Sequence, residues 1–162
     1  MRAVPALLVL LTGCHRGDQP PSLDATVAFP PRDTVRFSLA ATTHRCTDGR
    51  TILLEAVSPD GNGALIRFHF RDSLGTASYP VVAPGDTTAS RAVVAVRYLL
   101  RETPHAFFFD SGGVQIRRER DKISGRASGT GVESGIRTPT HIEYHDVSLP
   151  ARTDTVPCQF EW

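Results

Sequence analysis

A chain of 162 residues is long enough for one domain with a sizeable hydrophobic core and hardly long enough for two. Its 18 Arg and Lys residues almost balance its 17 Asp and Glu residues, and the balance becomes even if Arg2 is removed with a signal peptide. A chain without net charge offers no electrostatic footprint for nucleic acid, so nucleic-acid binding is excluded as a function class.

The amino terminus carries the features of an export signal. Arg2 is the only charge before an apolar run from Val4 to Leu11. This run is too short to span a bilayer as a helix, which needs about 20 residues. The positive start, the short apolar run and the small residues Thr12 and Gly13 are typical of a cleaved signal peptide. The sequence therefore predicts an extracytoplasmic protein.

The last residues of this segment, Leu11-Thr12-Gly13-Cys14, resemble the lipobox of bacterial prolipoproteins. In that family the cysteine thiol receives a diacylglycerol, the peptidase cuts just before the cysteine, and the new amino terminus is usually acylated. The resemblance implies a signal peptide over residues 1–13, lipidation of Cys14, and attachment to a membrane through this lipid. His15 in place of Asp favours the outer membrane over the inner one. The alternative is a buried or disulfide-bonded Cys14 after an ordinary signal peptide.

The two other cysteines, Cys46 and Cys158, form an even pair in the oxidising compartment that an exported chain reaches. We therefore predict a structural disulfide between them, with two unpaired buried thiols as the alternative. The sequence contains no Cys-x-x-Cys motif, which argues against a catalytic redox pair.

Residues 14–33 contain two proline pairs and few large apolar groups. Because proline pairs favour the extended polyproline conformation, this segment is predicted to be a tether between the lipid and the domain. At about 3.1 Å per residue it would reach about 50–60 Å. In the alternative, Val27 and Phe29 dock on the domain and shorten that reach.

Residues 34–162 are predicted to form a single all-β domain. Short runs with alternating apolar residues are separated by Gly, Pro and Asp turns, and no stretch has a convincing helical period. The predicted strands are residues 34–39, 51–57, 66–70, 92–100, 106–110, 114–118, 122–127, 142–149 and 156–162. Predicted turns lie at 48–49, 59–63, 84–86, 111–113 and 120–121. The pattern indicates an antiparallel β-sandwich or a small β-barrel, and the choice between them stays open.

Two stretches resemble known proteins. Residues 113–151 resemble the carboxyl-terminal half of many small secreted bacterial β-domains, which mostly have no assigned activity; the shared features are a V-x-I strand, a charged hairpin tip and Ile-Ser-Gly. Cys46-Thr47-Asp48-Gly49 is similar to the opening of the periplasmic C-type lysozyme-inhibitor lipoproteins, which are small disulfide-tied β-barrels. Those inhibitors carry a Ser-Gly-x-x-Tyr segment, whereas Ser124-Gly125 is followed here by Arg-Ala-Ser.

His141, Glu143 and His145 are the best candidates for chemistry, because they share one face of a predicted strand. Along a strand the two histidines stand about 13 Å apart, so they cannot both bind one zinc ion. A neighbouring pair joined by His69, or a bulge near His145-Asp146, would be needed to bring ligands together. We prefer the alternative, a polar outer face of an exposed strand, and we expect no metal or cofactor.

Two segments are candidate contact surfaces. Residues 125–135, with Gly129 and Gly131 at their centre, are predicted to be a hairpin loop, because a phosphate-binding loop needs a strand before it and a helix after it. Three consecutive aromatic residues, Phe107 to Phe109, place at least one ring on each face of a strand. Either both faces are buried, or Phe108 is exposed and marks a partner surface.

The sequence contains no nucleophile elbow, so an enzymatic role is not favoured. The preferred hypothesis is a membrane-anchored, non-enzymatic binding or structural module of the cell envelope, with an envelope protein or a glycan as partner. A lysozyme inhibitor is a narrower form of this hypothesis. The alternative is a β-barrel that binds a small ligand or a metal, with or without an enzymatic activity.

Overall fold

The computed structural model describes residues 20–87 and 90–158, and the predicted signal peptide and Cys14 lie outside these ranges. The described residues form β-strands and no helix, which confirms the all-β prediction. The strands are β1 (Ser22–Phe29), β2 (Asp33–Ala40), β3 (Thr42–Cys46), β4 (Thr51–Val57), β5 (Gly63–His69), β6 (Ala77–Pro80), β7 (Arg91–Leu100), β8 (Thr103–Glu119), β9 (Lys122–Glu133), β10 (Ile136–Ser148) and β11 (Thr155–Val156). Among these residues, no helix is long and apolar enough to cross a membrane.

The strands form one curled sheet in the order β11-β3-β4-β5-β7-β8-β9-β10-β1-β2, with β6 added beside β8. The pairs are antiparallel except for β11, which runs parallel to β3. Because the sheet curls strongly into a half-barrel, β2 comes close to β4 and β7. We call the end with the Arg120-Asp121 turn the hairpin end, and the opposite end, with the β7–β8 turn, the far end.

The hydrophobic core fills the concave side of the half-barrel. Alternating residues of each strand point inward, as the period of two in the sequence predicts. The largest fully buried side chains are Leu23, Val27, Ile52, Leu54, Ile66, Phe68, Val94, Tyr98, Phe109, Ile123, Ile142 and Tyr144. Burial of each large apolar side chain stabilises the fold by about 1.5–3 kcal/mol, so this core is the main source of stability.

The predicted turn at residues 111–113 is wrong, because this segment lies inside the long strand β8. The first part of β8 pairs with β7, and its last part pairs with β6 and β9. The register shifts by one residue between Phe109 and Ser111, where β8 forms a bulge, and Gly112 has a φ of 126°. A bulge bends a strand, so these glycines serve the bend with which β8 changes partners.

The predicted hairpin loop at residues 125–135 is also wrong, because β9 continues to Glu133. A Cβ atom on Gly129 would overlap the Phe109 ring, and one on Gly131 would overlap the Phe107 ring. The glycines therefore make room for aromatic rings from the neighbouring strand, a known way to stabilise glycine within a sheet. Gly129 and Gly131 are packing positions of the sheet.

We expect Gly129→Ala to lower the free energy of unfolding by about 1–3 kcal/mol, because the added methyl group would force the Phe109 ring and the Ser111 carbonyl to move. Gly75→Ala is the matched control, since a Cβ atom at that position meets nothing within 4 Å. Urea unfolding of both variants measures the difference. Equal stability of the two variants would contradict the packing role of Gly129.

Residues 22–29 were expected to belong to the tether, but they form β1 instead. Leu23, Ala25 and Val27 point into the core, and β1 pairs with both β10 and β2. The two proline pairs lie before and after this strand and do not extend the chain through it. The domain therefore begins near Ser22, and the segment between Cys14 and the sheet is much shorter than predicted.

The predicted disulfide between Cys46 and Cys158 is confirmed, with the two Cα atoms 5.2 Å apart. Just before Cys158, β11 pairs with the end of β3, and Thr47 donates a backbone hydrogen bond of 3.0 Å to the Val156 carbonyl. Of the predicted last strand, residues 156–162, only Val156 lies in a strand among the described residues, and residues 159–162 lie outside the described ranges. The disulfide fixes the carboxyl-terminal segment to β3.

Replacement of both cysteines, Cys46→Ala with Cys158→Ala, should lower the free energy of unfolding by about 4–5 kcal/mol, because the bridge closes a long loop in the unfolded chain. Thermal unfolding measures the loss. Reductant should produce a similar loss in the wild-type protein and none in the double variant. An unchanged melting temperature of fully reduced wild-type protein would contradict this stabilising role.

Candidate functional site

A cleft of about 450 Å³ lies at the hairpin end of the half-barrel. Four segments far apart in sequence line it, residues 45–49, 70–74, 118–121 and 149–152. β5 and β10 end here. The chain beyond each of these strands leaves the sheet, and its side chains form walls of the cleft. Phe70 and Leu74 are buried beneath the cleft, and Leu149 is half-buried beside them. The cleft has an apolar floor.

Charged side chains form the rim of the cleft, among them three arginines and two aspartates. Arg118 is held in place: its Nη1 donates to the Leu74 carbonyl at 2.7 Å and its Nε donates to the Arg120 carbonyl at 2.9 Å. Its backbone N–H also donates to the Thr76 hydroxyl at 2.9 Å. These bonds tie the hairpin to the segment after β5 and give the cleft a fixed wall.

Arg45 uses fewer of its side-chain donors than Arg118 does. It lies on β3 next to the disulfide-bonded Cys46 and opposite Thr155 of β11, so its backbone is fixed. Its Nη1 lies 3.5 Å from the Gly49 carbonyl oxygen, and its Nε is buried without a hydrogen-bond partner among the described residues. A guanidinium can bind a carboxylate or a phosphate with two parallel hydrogen bonds. An anion in the cleft would bind through the terminal nitrogens of Arg45, since its Nε is closed to solvent.

The structure brings His141, Glu143 and His145 together on the outer face of β10. The distance from His141 Nε2 to Glu143 Oε1 is 3.1 Å, and that from His145 Nε2 to Glu143 Oε2 is 4.0 Å. Each of the three side chains is about half exposed. The predicted bulge is present, since the register shifts between Tyr144 and Val147. The carboxylate thus lies between the two rings, as on a polar outer face.

His69 does not join this row. Three strands separate β5 from β10 in the sheet, and His69 instead contacts Thr51 at 3.1 Å and Asp48 at 4.0 Å. Burial lowers the pKa of His69, and the nearby positive charge of Arg91 adds to the decrease. Among the described residues, no group of three or more His, Cys, Asp or Glu side chains could hold a metal ion.

Phe108 points away from the core, and Phe107 and Phe109 point into it. Its ring is half-buried on the outer face, where β8 pairs with β7 opposite Ala95. A small apolar depression of about 90 Å³ lies around these two residues and Ala106. The structure therefore gives an arrangement between the two expected ones, since Phe108 is neither buried nor fully exposed.

An interior polar pair was missed by the sequence analysis. His105 on β8 and Glu133 on β9 face the inside of the far end, with 2.9 Å between Nδ1 and Oε2 and side chains only 15% and 11% exposed. The His105 ring stacks on Tyr98, with centroids 5.2 Å apart, and lies beside Phe29. The inward position of His105 could have been predicted from alternation, because His105 lies two residues before the inward-facing Phe107 on the same strand. This pair links the two hairpins of the far end.

Two buried tyrosines near the core differ in hydrogen bonding. The Tyr144 hydroxyl donates to the Gln115 carbonyl at 3.0 Å. The Tyr98 hydroxyl lies near Thr138 but has no partner of hydrogen-bond geometry in the described part of the chain. Burial raises the pKa of Tyr98 to about 12, and the Glu133 carboxylate adds to the rise. Burial also raises the pKa of Tyr144.

These tyrosines predict an alkaline loss of stability. Because their folded-state pKa values are raised above the usual value near 10, their contribution is complete below about pH 10 and is lost as pH rises toward 12. Tyr98→Phe should leave the free energy of unfolding unchanged at pH 7 and reduce its decrease between pH 10 and 12. Tyr144→Phe should cost about 1 kcal/mol at pH 7 through the lost hydrogen bond. Urea unfolding across this pH range tests both expectations, and a large loss for Tyr98→Phe at pH 7 would contradict them.

Comparison of the chain with known protein families, with curated proteins and with solved structures finds no match. The resemblance to lipoproteins and the likeness to lysozyme inhibitors therefore stay predictions. The cleft is the candidate site, because it combines a concave shape, an apolar floor and three arginines at its rim.

Proposed function

We propose that the protein is a membrane-anchored, non-enzymatic binding module of the cell envelope, and that its cleft at the hairpin end binds a small anionic group. The observation that carries the proposal is the lining of the cleft, where Arg45, Arg118 and Arg152 surround an apolar floor. The anion is a carboxylate or a phosphate carried by an envelope component. This proposal keeps the anchor at Cys14 and the outer membrane as the favoured location.

Two features support export and anchoring. The segment Leu11-Thr12-Gly13-Cys14 has the pattern of a lipobox, and the position of Cys14 leaves only residues 15–21 before the first strand. The disulfide between Cys46 and Cys158 is of the structural kind that persists in oxidising compartments outside the cytoplasm. Both features agree with a domain held on the extracytoplasmic face of a membrane.

The chemistry of the cleft favours an anion over a cation or a neutral ligand. Arginine stays charged at any physiological pH and presents a planar set of donors, which matches carboxylate and phosphate oxygens. Arg118 is already oriented by backbone carbonyls, and Arg45 has an unpaired Nε. The rim carboxylates of Asp72 and Asp121 limit the net positive charge. They favour a single anionic group over a highly charged polymer.

Inorganic phosphate should stabilise the full chain, purified in detergent, more than chloride does at equal ionic strength. At a phosphate concentration one hundred times Kd, the stabilisation would be about 2.7 kcal/mol, visible as a saturable rise in Tm. The double variant Arg45→Gln with Arg152→Gln should lose this rise, because it removes two rim guanidiniums and leaves the hydrogen-bonded Arg118 intact.

The matched control is Arg32→Gln with Arg36→Gln, which makes the same change in charge at two exposed positions outside the cleft. This control should retain the full response to phosphate. An equal response of the cleft variant and the wild-type protein would overturn the anion-binding proposal. Mass spectrometry of the mature chain tests the anchor separately, through the mass that a diacylglycerol adds at Cys14.

A further inference from the structure

The first strand leaves the sheet on the side of the cleft. In the sheet Ser22 lies opposite Ala40 and His145. From His145, β10 continues for three more residues to Ser148, which pairs with Lys122 at the hairpin end. In the other direction, β10 runs nine residues to Ile136 at the far end. The chain that leads to Cys14 therefore starts near the hairpin end.

The distance from Cys14 to the sheet is short. The Pro21 carbonyl accepts a hydrogen bond of 3.1 Å from the Ala41 backbone N–H, so the sheet begins there. Seven residue steps from Cys14 to Pro21 span at most about 25 Å. The far end lies about 30 Å from Ser22 along β10. A lipid at Cys14 therefore keeps the hairpin end close to the membrane, because even the fully extended linking segment is shorter than the distance from Ser22 to the far end.

Charge is distributed unevenly between the two ends. The four segments that line the cleft, residues 45–49, 70–74, 118–121 and 149–152, carry five Arg residues against four Asp and Glu residues. The turns of the far end, residues 30–33, 58–62, 101–102 and 133–136, carry two Arg residues against four Asp and Glu residues. The hairpin end, near the anchor, is thus the less acidic of the two. A membrane surface with anionic lipids repels the far end more strongly than the hairpin end.

We propose that the anionic group bound in the cleft is the phosphate of an anionic phospholipid in the anchoring membrane, so that the domain lies on this membrane with its hairpin end down. This inference rests on the proposed function, since it names the ligand of the same cleft. Arg45 and Arg152 hold the phosphate, and Leu149 with Pro150 contacts the apolar part of the lipid. The far end, with the His105–Glu133 pair, faces away from the bilayer.

The test places the complete lipidated protein in vesicles of phosphatidylcholine, with or without phosphatidylglycerol. A fluorescent label is attached at Thr153→Cys near the cleft or at Thr103→Cys at the far end, both exposed positions. A quencher attached to the lipid headgroups reports the proximity of the label to the membrane. Non-reducing mass spectrometry verifies that the disulfide between Cys46 and Cys158 is intact in each labelled protein.

We expect quenching at position 153 to exceed quenching at position 103, to rise when phosphatidylglycerol is added, and to fall with salt. Arg45→Gln with Arg152→Gln should abolish the increase caused by phosphatidylglycerol, and Arg32→Gln with Arg36→Gln should retain it. Equal quenching at both positions, or no dependence on phosphatidylglycerol, overturns the membrane inference. If phosphate still raises Tm through Arg45 and Arg152, the cleft binds a soluble anion and the proposed function stands. If phosphate has no such effect, the proposed function fails as well.

Discussion

The half-barrel depends on the bend of β8, because this strand belongs to both halves of the sheet. Its first part pairs with β7 and its last part with β6 and β9, and the bulge at Phe109–Ser111 lies between these parts. Just before the bulge, the rings of Phe107 and Phe109 lie over Gly131 and Gly129 of β9. Because the rings pack directly on the glycine backbone of β9, this strand can follow the bend of β8. The core lies on the concave side of the bent sheet.

Strands with apolar alternation or a continuous apolar run could be predicted from the sequence, whereas β1 and the second half of β9 could not. Residues 34–39 alternate clearly and lie in β2, and the apolar runs at residues 51–57 and 92–100 lie in β4 and β7. β9 contains three inward glycines, because its partner side chains are large rings, so its sequence resembles that of a loop. β1 lies between two proline pairs, which hid the alternation of Leu23, Ala25 and Val27. Both errors have one cause: local composition does not report what a neighbouring strand contributes.

The candidate site was harder to predict than the fold, because its residues come from four distant segments. The row on β10 shares one strand, so its spacing in sequence was enough to place His141, Glu143 and His145 on one face. Arg45 and Arg118 have no common pattern in the sequence, and only the curl of the sheet brings β3 close to the β8–β9 hairpin. For the same reason His105 and Glu133, which lie on neighbouring strands, meet only once the register of the far end is known.

The disulfide connects the stability of the fold to the geometry of the cleft. One of its cysteines follows Arg45 directly on β3, and the other ends the segment that begins with Leu149 and carries Arg152. The parallel pairing of β11 with β3 is only two residues long, so hydrogen bonds alone hold this segment weakly. The covalent bond therefore keeps two walls of the cleft at a fixed distance. We therefore expect the cleft to keep its observed shape where the thiols are oxidised, as in the compartment that the predicted signal peptide implies.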